Sequence, residues 1–187
     1  MRFLLVREGI AYDGSQLSSL WAFRKFGVQG DSIVAFRGPC TVKREALVDL
    51  ADYRAGSFIY SPDMLHFIAE HFENDLEKAV LRQRLLAVII KEALEEGLDC
   101  KVVRRGDDLF AGEEKLSVSI ATATPVSVMI HFGLNIDATG APVPAAGLLS
   151  LGWPEGGIFP LAERVLAAYA EETAEVRLAR CKVRGVP

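Results

Sequence analysis

From residue 116 onward the chain alternates apolar and polar positions with a period of two. Leu116, Val118 and Ile120 fall on one side, Ser117 and Ser119 on the other. After a turn near Thr124-Pro125, Val126, Val128, Ile130, Phe132, Leu134 and Ile136 alternate with Ser127, Met129, His131, Gly133 and Asn135. This is the pattern of two strands whose faces meet different environments. Cross-strand neighbours share a face, so pairing these strands predicts both apolar sets turned inward. The outer face would then gather Lys115, Ser117, Ser119, Ser127, His131 and Asn135, a polar floor beside one amine and one imidazole.

Other segments are read in the same way. Arg2 to Arg7 is predicted as a strand, and a helix capped by Asp13 or Ser15 runs to Phe26 and stops at Gly27. Ser32 to Phe36 is a short, nearly all-apolar strand ending where Arg37-Gly38-Pro39-Cys40 must turn. Ala46 to Leu50 reads as a further strand. Ser61-Pro62-Asp63 reads as a helix start, with the helix running to Phe72. A longer helix over Leu76–Glu96 has more than one apolar stripe and should be deeply buried. Lys101 to Arg104 and Leu109 to Ala111 are short strands separated by turns at Gly106-Asp107-Asp108 and Gly112-Glu113-Glu114. Residues 138–159, rich in Gly, Pro and Ala, predict a long loop carrying Trp153 as a lid or interface, before a last helix from Pro160 to Arg180. The sum is an α/β (α+β) fold with a mixed, mainly antiparallel sheet packed by helices. With no internal repeat or linker in view, residues 1–187 are expected to form one domain.

Composition narrows the class. Half of the residues are hydrophobic and spread over the whole length, which excludes a disordered chain. No run approaches the roughly 20 apolar residues that span a bilayer, and no signal-peptide pattern opens the chain, so a cytoplasmic protein with no membrane partner is expected. A net charge of -4 argues against a nucleic-acid partner. The basic C-terminal stretch Arg177, Arg180, Lys182 and Arg184 reads as a solvated helix end or a nucleic-acid arm, the former being the simpler reading. Cys40, Cys100 and Cys181 form no CxxC pair, and His66 and His71 lie five apart with no HExxH pattern, so no metal is expected. GxSxG, GxGxxG and a P-loop are all absent.

The run Gly106-Asp107-Asp108-Leu109 through Gly112-Glu113-Glu114-Lys115-Leu116, followed by His131-Phe132-Gly133-Leu134, resembles a signature of lipoate protein ligases. Upstream, Arg37-Gly38 and Leu47-Val48-Asp49-Leu50 look like the Arg, Gly-rich and His-Asp segment of the same enzymes. The order of elements matches over residues 30–137, and the whole chain is similar to a prokaryotic family called domain of unknown function 366. The resemblance implies the lipoate/biotin protein ligase (class II synthetase-like) catalytic-domain fold. It also implies that Lys115 would contact an acyl-adenylate, and that ATP with Mg would be used if the protein adenylates. Three positions depart from the ligase pattern: Pro39 and Cys40 follow a single Gly38, Val48 stands where the ligases have histidine, and Val118 stands where they have glycine.

Lys115 and His131 are thus the candidate catalytic residues, with Arg37, Gly38, Asp49, Asp108, Ser117 and Ser119 as candidate substrate-binding residues. Lys115 would stabilise charge developing on a carbonyl or phosphate. Arg37 offers a planar charged fork and Gly38 a close backbone approach to an anion. Each has a plainer reading: Lys115 as an exposed lysine at a strand start, His131 as a solvent-facing histidine, Asp107 and Asp108 as turn residues. Cys40 is either an acyl-thioester nucleophile or a buried inert thiol. Three functions follow. One is an enzyme that activates or transfers a small carboxylic acid through an acyl-adenylate or acyl-enzyme. Another, motivated by the three departures, is a non-catalytic small-molecule-binding module. The third, a homo-oligomeric assembly protein, rests on the apolar loop from Ala141 to Pro160.

Overall fold

The computed structural model describes residues 1–186. In chain order the elements are β1 (Arg2–Leu5), α1 (Trp21–Phe26), β2 (Ser32–Val42), α2 (Leu50–Ala55), β3 (Ile59–His71), α3 (Leu76–Glu95), β4 (Val102–Arg105), β5 (Asp108–Ala111), β6 (Glu114–Lys115), β7 (Ser117–Ala123), β8 (Val128–Asp137) and α4 (Ile158–Ala179). Five strands form one sheet in the order β1-β2-β3-β8-β7, and β4, β5 and β6 form a small second sheet. Among the described strands β1 and β2 pair in parallel and the other strand pairs are antiparallel.

The large sheet is buried on both sides. Ile33, Leu65, Phe67, Ile130, Phe132 and Leu134 pack on one face beneath Leu86 and Ile90 of α3 and Leu166 and Tyr169 of α4. Val34, Phe36, Met64, Ile68 and Met129 pack on the other face beneath Tyr12, Trp21 and Ala22. Each such side chain removed from water contributes roughly 1.5–3 kcal/mol, and this stabilises the double-sided arrangement.

That double burial explains where the local pattern misleads. Residues 61–72, predicted as a helix, are instead most of β3, which ends at His71. Its run from Met64 to His71 is almost wholly buried on both faces, so no period-two alternation marks it. Pro62, which suggested a helix start, lies where the β2–β3 register shifts, opposite the irregularity between Gly38 and Cys40. A residue with no N–H is tolerated in a sheet at such a bulge. The same bulge lets β2 continue to Val42 through the expected turn at residues 37–40.

The predicted strand over Ala46–Leu50 is instead a 3-10 turn followed by α2. Asp49 caps α2 by accepting the Ala51 and Asp52 N–H groups, and Gly56 ends it at φ 71. The helix expected from Asp13 is confined to Trp21–Phe26, with Gly27 ending it as anticipated. Its start is held by Leu20 at φ 63, whose N–H donates to the buried Glu70 Oε1 at 2.8 Å.

The β7–β8 hairpin forms, but its register corrects the shared polar face. A four-residue loop joins Ala123 to Val128, and an even-membered loop pairs odd-numbered positions with even-numbered ones. Ser117 lies opposite Leu134 and Ser119 opposite Phe132, on the α3 side; Val118 and Ile120 share the other side with Gly133 and His131. Ser127 sits in the loop, bonded to Thr124 and Glu70. Nor is Trp153 a lid or an outer interface: it is 8% exposed in the helix-side core, against Gly97 and Gly157. Among the described residues no helix is long and apolar enough to cross a membrane.

Candidate functional site

A cavity of about 410 Å³ opens on the sheet face away from α3 and α4. Its floor is Met64, Val118 and His131, from β3, β7 and β8, and its walls include Tyr12, Val42 and Ile59. Gly133 lets the Met64 side chain lie flat on β8: a Cβ there would meet Met64 Sδ at 2.3 Å. The polar end gathers Lys115 with Asp49, Asp52, Asp107 and Asp108. Lys115 Nζ pairs with Asp108 Oδ2 at 2.8 Å, the two side chains being 31% and 25% exposed. Burial pushes the Asp108 carboxyl up; Lys115 opposes this, while Asp107 and Asp52 add to it. The Lys115 backbone is tied down from two directions. Its N–H donates to Pro144 O, and Asn135 Nδ2 donates to Lys115 O and Ala146 O.

His131 does not face solvent. It is 2% exposed, and its ring stacks on Tyr12 at 3.8 Å between centroids. Its Nε2 lies 3.0 Å from Nδ1 of His66, and His66 Nε2 lies 3.2 Å from Gly38 O. Burial holds both imidazoles neutral: His66 is pushed down to about 3, and His131 is lowered well below the ordinary value by burial and then by the charge of His66. A carbonyl only accepts, so His66 Nε2 carries the proton and its Nδ1 is bare. His131 Nε2–H must then donate to His66, leaving His131 Nδ1 as an open acceptor.

Lys115, His131, Asp49 and Asp108 therefore line one cavity. Ser117 and Ser119 border it, but their hydroxyls are spent on the helix side. Ser117 Oγ accepts the Leu109 N–H; Ser119 Oγ donates to His131 O and accepts from Gln83 Nε2. Arg37 stands apart on the sheet's helix side, where its guanidinium bonds both oxygens of Asp63 and also Glu155. Gly38 serves chain packing: a Cβ would lie 2.2 Å from Ile10 O, so the backbone it admits is the protein's own.

Cys40 is fully buried, and desolvation pushes its thiol up to about 12. The thiolate is the nucleophilic form, so a covalent role is unsupported. Iodoacetamide at pH 8 is expected to label the exposed Cys181 in the native protein and to reach Cys40 only after unfolding. Mass spectrometry showing Cys40 modified as fast as Cys181 would contradict this.

Sequence reasoning missed His66, Tyr12, Asp52 and Met64. His66 was hidden because its strand carries no alternation. The contribution of Tyr12 depends on a chain crossing, its isolated bridge to Cys40, that no local pattern encodes.

Residues 1–184 match the family described as Domain of unknown function (DUF366). An uncharacterized protein of Methanocaldococcus jannaschii is 38% identical over 182 residues, 94% of this chain and 81% of that protein. A protein of unknown function from Pyrococcus horikoshi superimposes with TM-score 0.91 at 41% identity, each chain covered completely. The fold extends to biotin protein ligase from Aquifex aeolicus in complex with biotin and ATP, with TM-score 0.57 at 16% identity over 89% of this chain and 68% of that one. It also matches a putative lipoate protein ligase from T. acidophilum with bound lipoic acid, with TM-score 0.57 at 15% identity over 91% and 86%.

Proposed function

The chain belongs to the DUF366 family, and from its ligase-like fold and the geometry of its cavity we propose that it binds a small carboxylic acid, holding the carboxylate at Lys115. The observation that carries this reading is a 410 Å³ cavity with a partly apolar floor and walls and an acidic end, in which Lys115 is the only lysine or arginine among the described lining residues. That volume falls in the range of small-ligand sites, roughly 300–1,000 Å³. One cation beside an apolar floor of Met64 and Val118 suits a monoanionic head on an apolar body.

The same residues do not fit a nucleoside triphosphate. Lys115 is already paired with Asp108, and Asp49, Asp52 and Asp107 line the cavity nearby. Arg37, the second cation the ligase resemblance supplied, is bonded to Asp63 and Glu155 on the opposite face. A free polyphosphate would bring several negative charges to four carboxylates and a single lysine, whereas a carboxylate brings one, which Lys115 can take by exchanging its bond to Asp108. Together with the buried Cys40 thiol, this favours a binding module over an acyl-activating enzyme.

Calorimetry with octanoate, lipoate and biotin, each with and without MgATP, tests the reading. Saturable heat with at least one acid is expected, with a rise in melting temperature; ligand at a hundredfold over its Kd adds about 2.7 kcal/mol of stability. No pyrophosphate should be released. Pyrophosphate release over many turnovers would restore the ligase reading, and no heat from any acid would remove the binding one.

A further inference from the structure

The far end of the cavity carries an acceptor that nothing in the protein uses. The hydrogen bonds of His131 engage its Nε2, toward His66, and its carbonyl oxygen, from Ser119, which leaves Nδ1 to the cavity that His131 lines. The group is held still. Tyr12 stacks on the His131 ring with planes 12° apart, and Phe36 stacks on His66 at 4.8 Å. The tautomer is fixed by the relay from His131 to His66 to Gly38 O.

An unpartnered acceptor on a side chain this deeply buried is costly unless something donates to it. Its position relative to Lys115 matters. Lys115 O takes a hydrogen bond from Asn135, four residues along β8 from His131. At about 3.3 Å per residue, the two backbone levels are roughly 13 Å apart. The cavity thus presents the Lys115 cation near the level of Asn135 and the imidazole of His131 four residues along β8, with Met64 and Val118 on the floor between them.

Building on the acid-binding reading above, we propose that His131 Nδ1 is the specificity determinant of the site, selecting a medium-length acid whose inner end bears an N–H or O–H donor over one that ends in plain hydrocarbon. The relay uses the one N–H of His131, so toward a ligand its Nδ1 can only accept. A donor-tipped ligand satisfies it, whereas an alkyl tip displaces whatever water was there and leaves the nitrogen unpaired, which disfavours the alkyl ligand. Tyr12, stacked on the ring, and His66, bonded to it, act as positioning residues.

The test uses the wild-type protein with octanoate and ω-hydroxyoctanoate as a matched pair. Long-range proton–nitrogen NMR of its three histidines is expected to show His131 as the neutral Nε2–H tautomer. The Nδ1 signal should move toward the hydrogen-bonded range on adding ω-hydroxyoctanoate and not do so with octanoate. The hydroxy acid should bind about tenfold more tightly, the scale of one well-made hydrogen bond in a buried site. His131→Phe should abolish this preference. If that variant fails to fold, the tautomer and the Nδ1 shift in the wild type still decide. An Nδ1–H tautomer, or equal affinity for both acids with Nδ1 unmoved, overturns this inference and leaves acid binding standing. Failure of both acids to bind overturns the two together.

Discussion

Gly38→Ala is expected to destabilise the protein by roughly 3–5 kcal/mol, a large share of the 5–15 kcal/mol available to a domain. The new Cβ would lie 2.2 Å from Ile10 O and 2.7 Å from its carbonyl carbon, and backbone cannot rotate aside as a side chain can. Overpacking alone costs about 1–3 kcal/mol. Relief requires the strap at residues 10–12 to lift, which strains three hydrogen bonds: Ile10 N–H to Arg37 O, Tyr12 N–H to Pro39 O, and Thr41 N–H to Tyr12 O. Each contributes on the order of 1 kcal/mol. The melting temperature should fall by about 10 °C in a chain of this size. Gly56→Ala is the control: no atom lies within 4 Å of its Cβ, and only its φ of +71° opposes the change. That should cost about 1 kcal/mol. If Gly38 instead served an anionic ligand, Gly38→Ala would melt like the control and lose only binding. Thermal melts of the two variants side by side decide between these roles.

The strap also shows why some of this molecule is legible in its sequence and some is not. The amphipathic or strongly capped segments could be read directly. The helix over 76–95, the strand at Arg2 and the β7–β8 hairpin follow from periodicity, and the ligase-like motif between Gly106 and Leu134 pointed to the fold that the structural comparisons support. Residues 61–71 could not be read this way, because a strand buried on both faces loses its alternation, while Ser-Pro-Asp is good helix-start chemistry wherever it occurs. The register of the hairpin was the subtler failure. Alternation assigns each strand two faces but does not say which faces coincide; the number of loop residues does, and one residue of difference moves Ser117 and Ser119 to the helix side. Lys115, Asp108, Asp49 and His131 still converge on one cavity. Arg37 does not, because in a strand it points opposite to Phe36, and Phe36 faces the Tyr12 side.

Lys115→Met should weaken binding of the carboxylic acid by about tenfold to a hundredfold. A hydrogen bond to a charged group is worth roughly 1.5–3 kcal/mol, and 1.4 kcal/mol is one factor of ten. Met keeps the apolar stem that lines the wall, so the change isolates the ammonium. Asp108→Asn should act in the opposite direction. Asp108 holds Lys115 at 2.8 Å and competes with the ligand for it, so neutralising the carboxylate releases the cation and tightens binding. The pH dependence carries the same sign. Burial raises the Asp108 pKa above its ordinary value despite the lysine beside it. The folded state therefore holds that proton more firmly than the unfolded chain, and the stability this contributes is present at acid pH and lost as pH rises through the raised value. Protonating Asp108 would free Lys115, so over the range in which the ligand stays ionised the affinity of the wild type should rise as pH falls. That slope should flatten in Asp108→Asn. A mere structural ion pair predicts otherwise: both substitutions would lower the melting temperature, and neither would move affinity. Calorimetric titration of the three proteins across pH 5–8 separates the two, and an unchanged Kd in Lys115→Met would remove the lysine from the site.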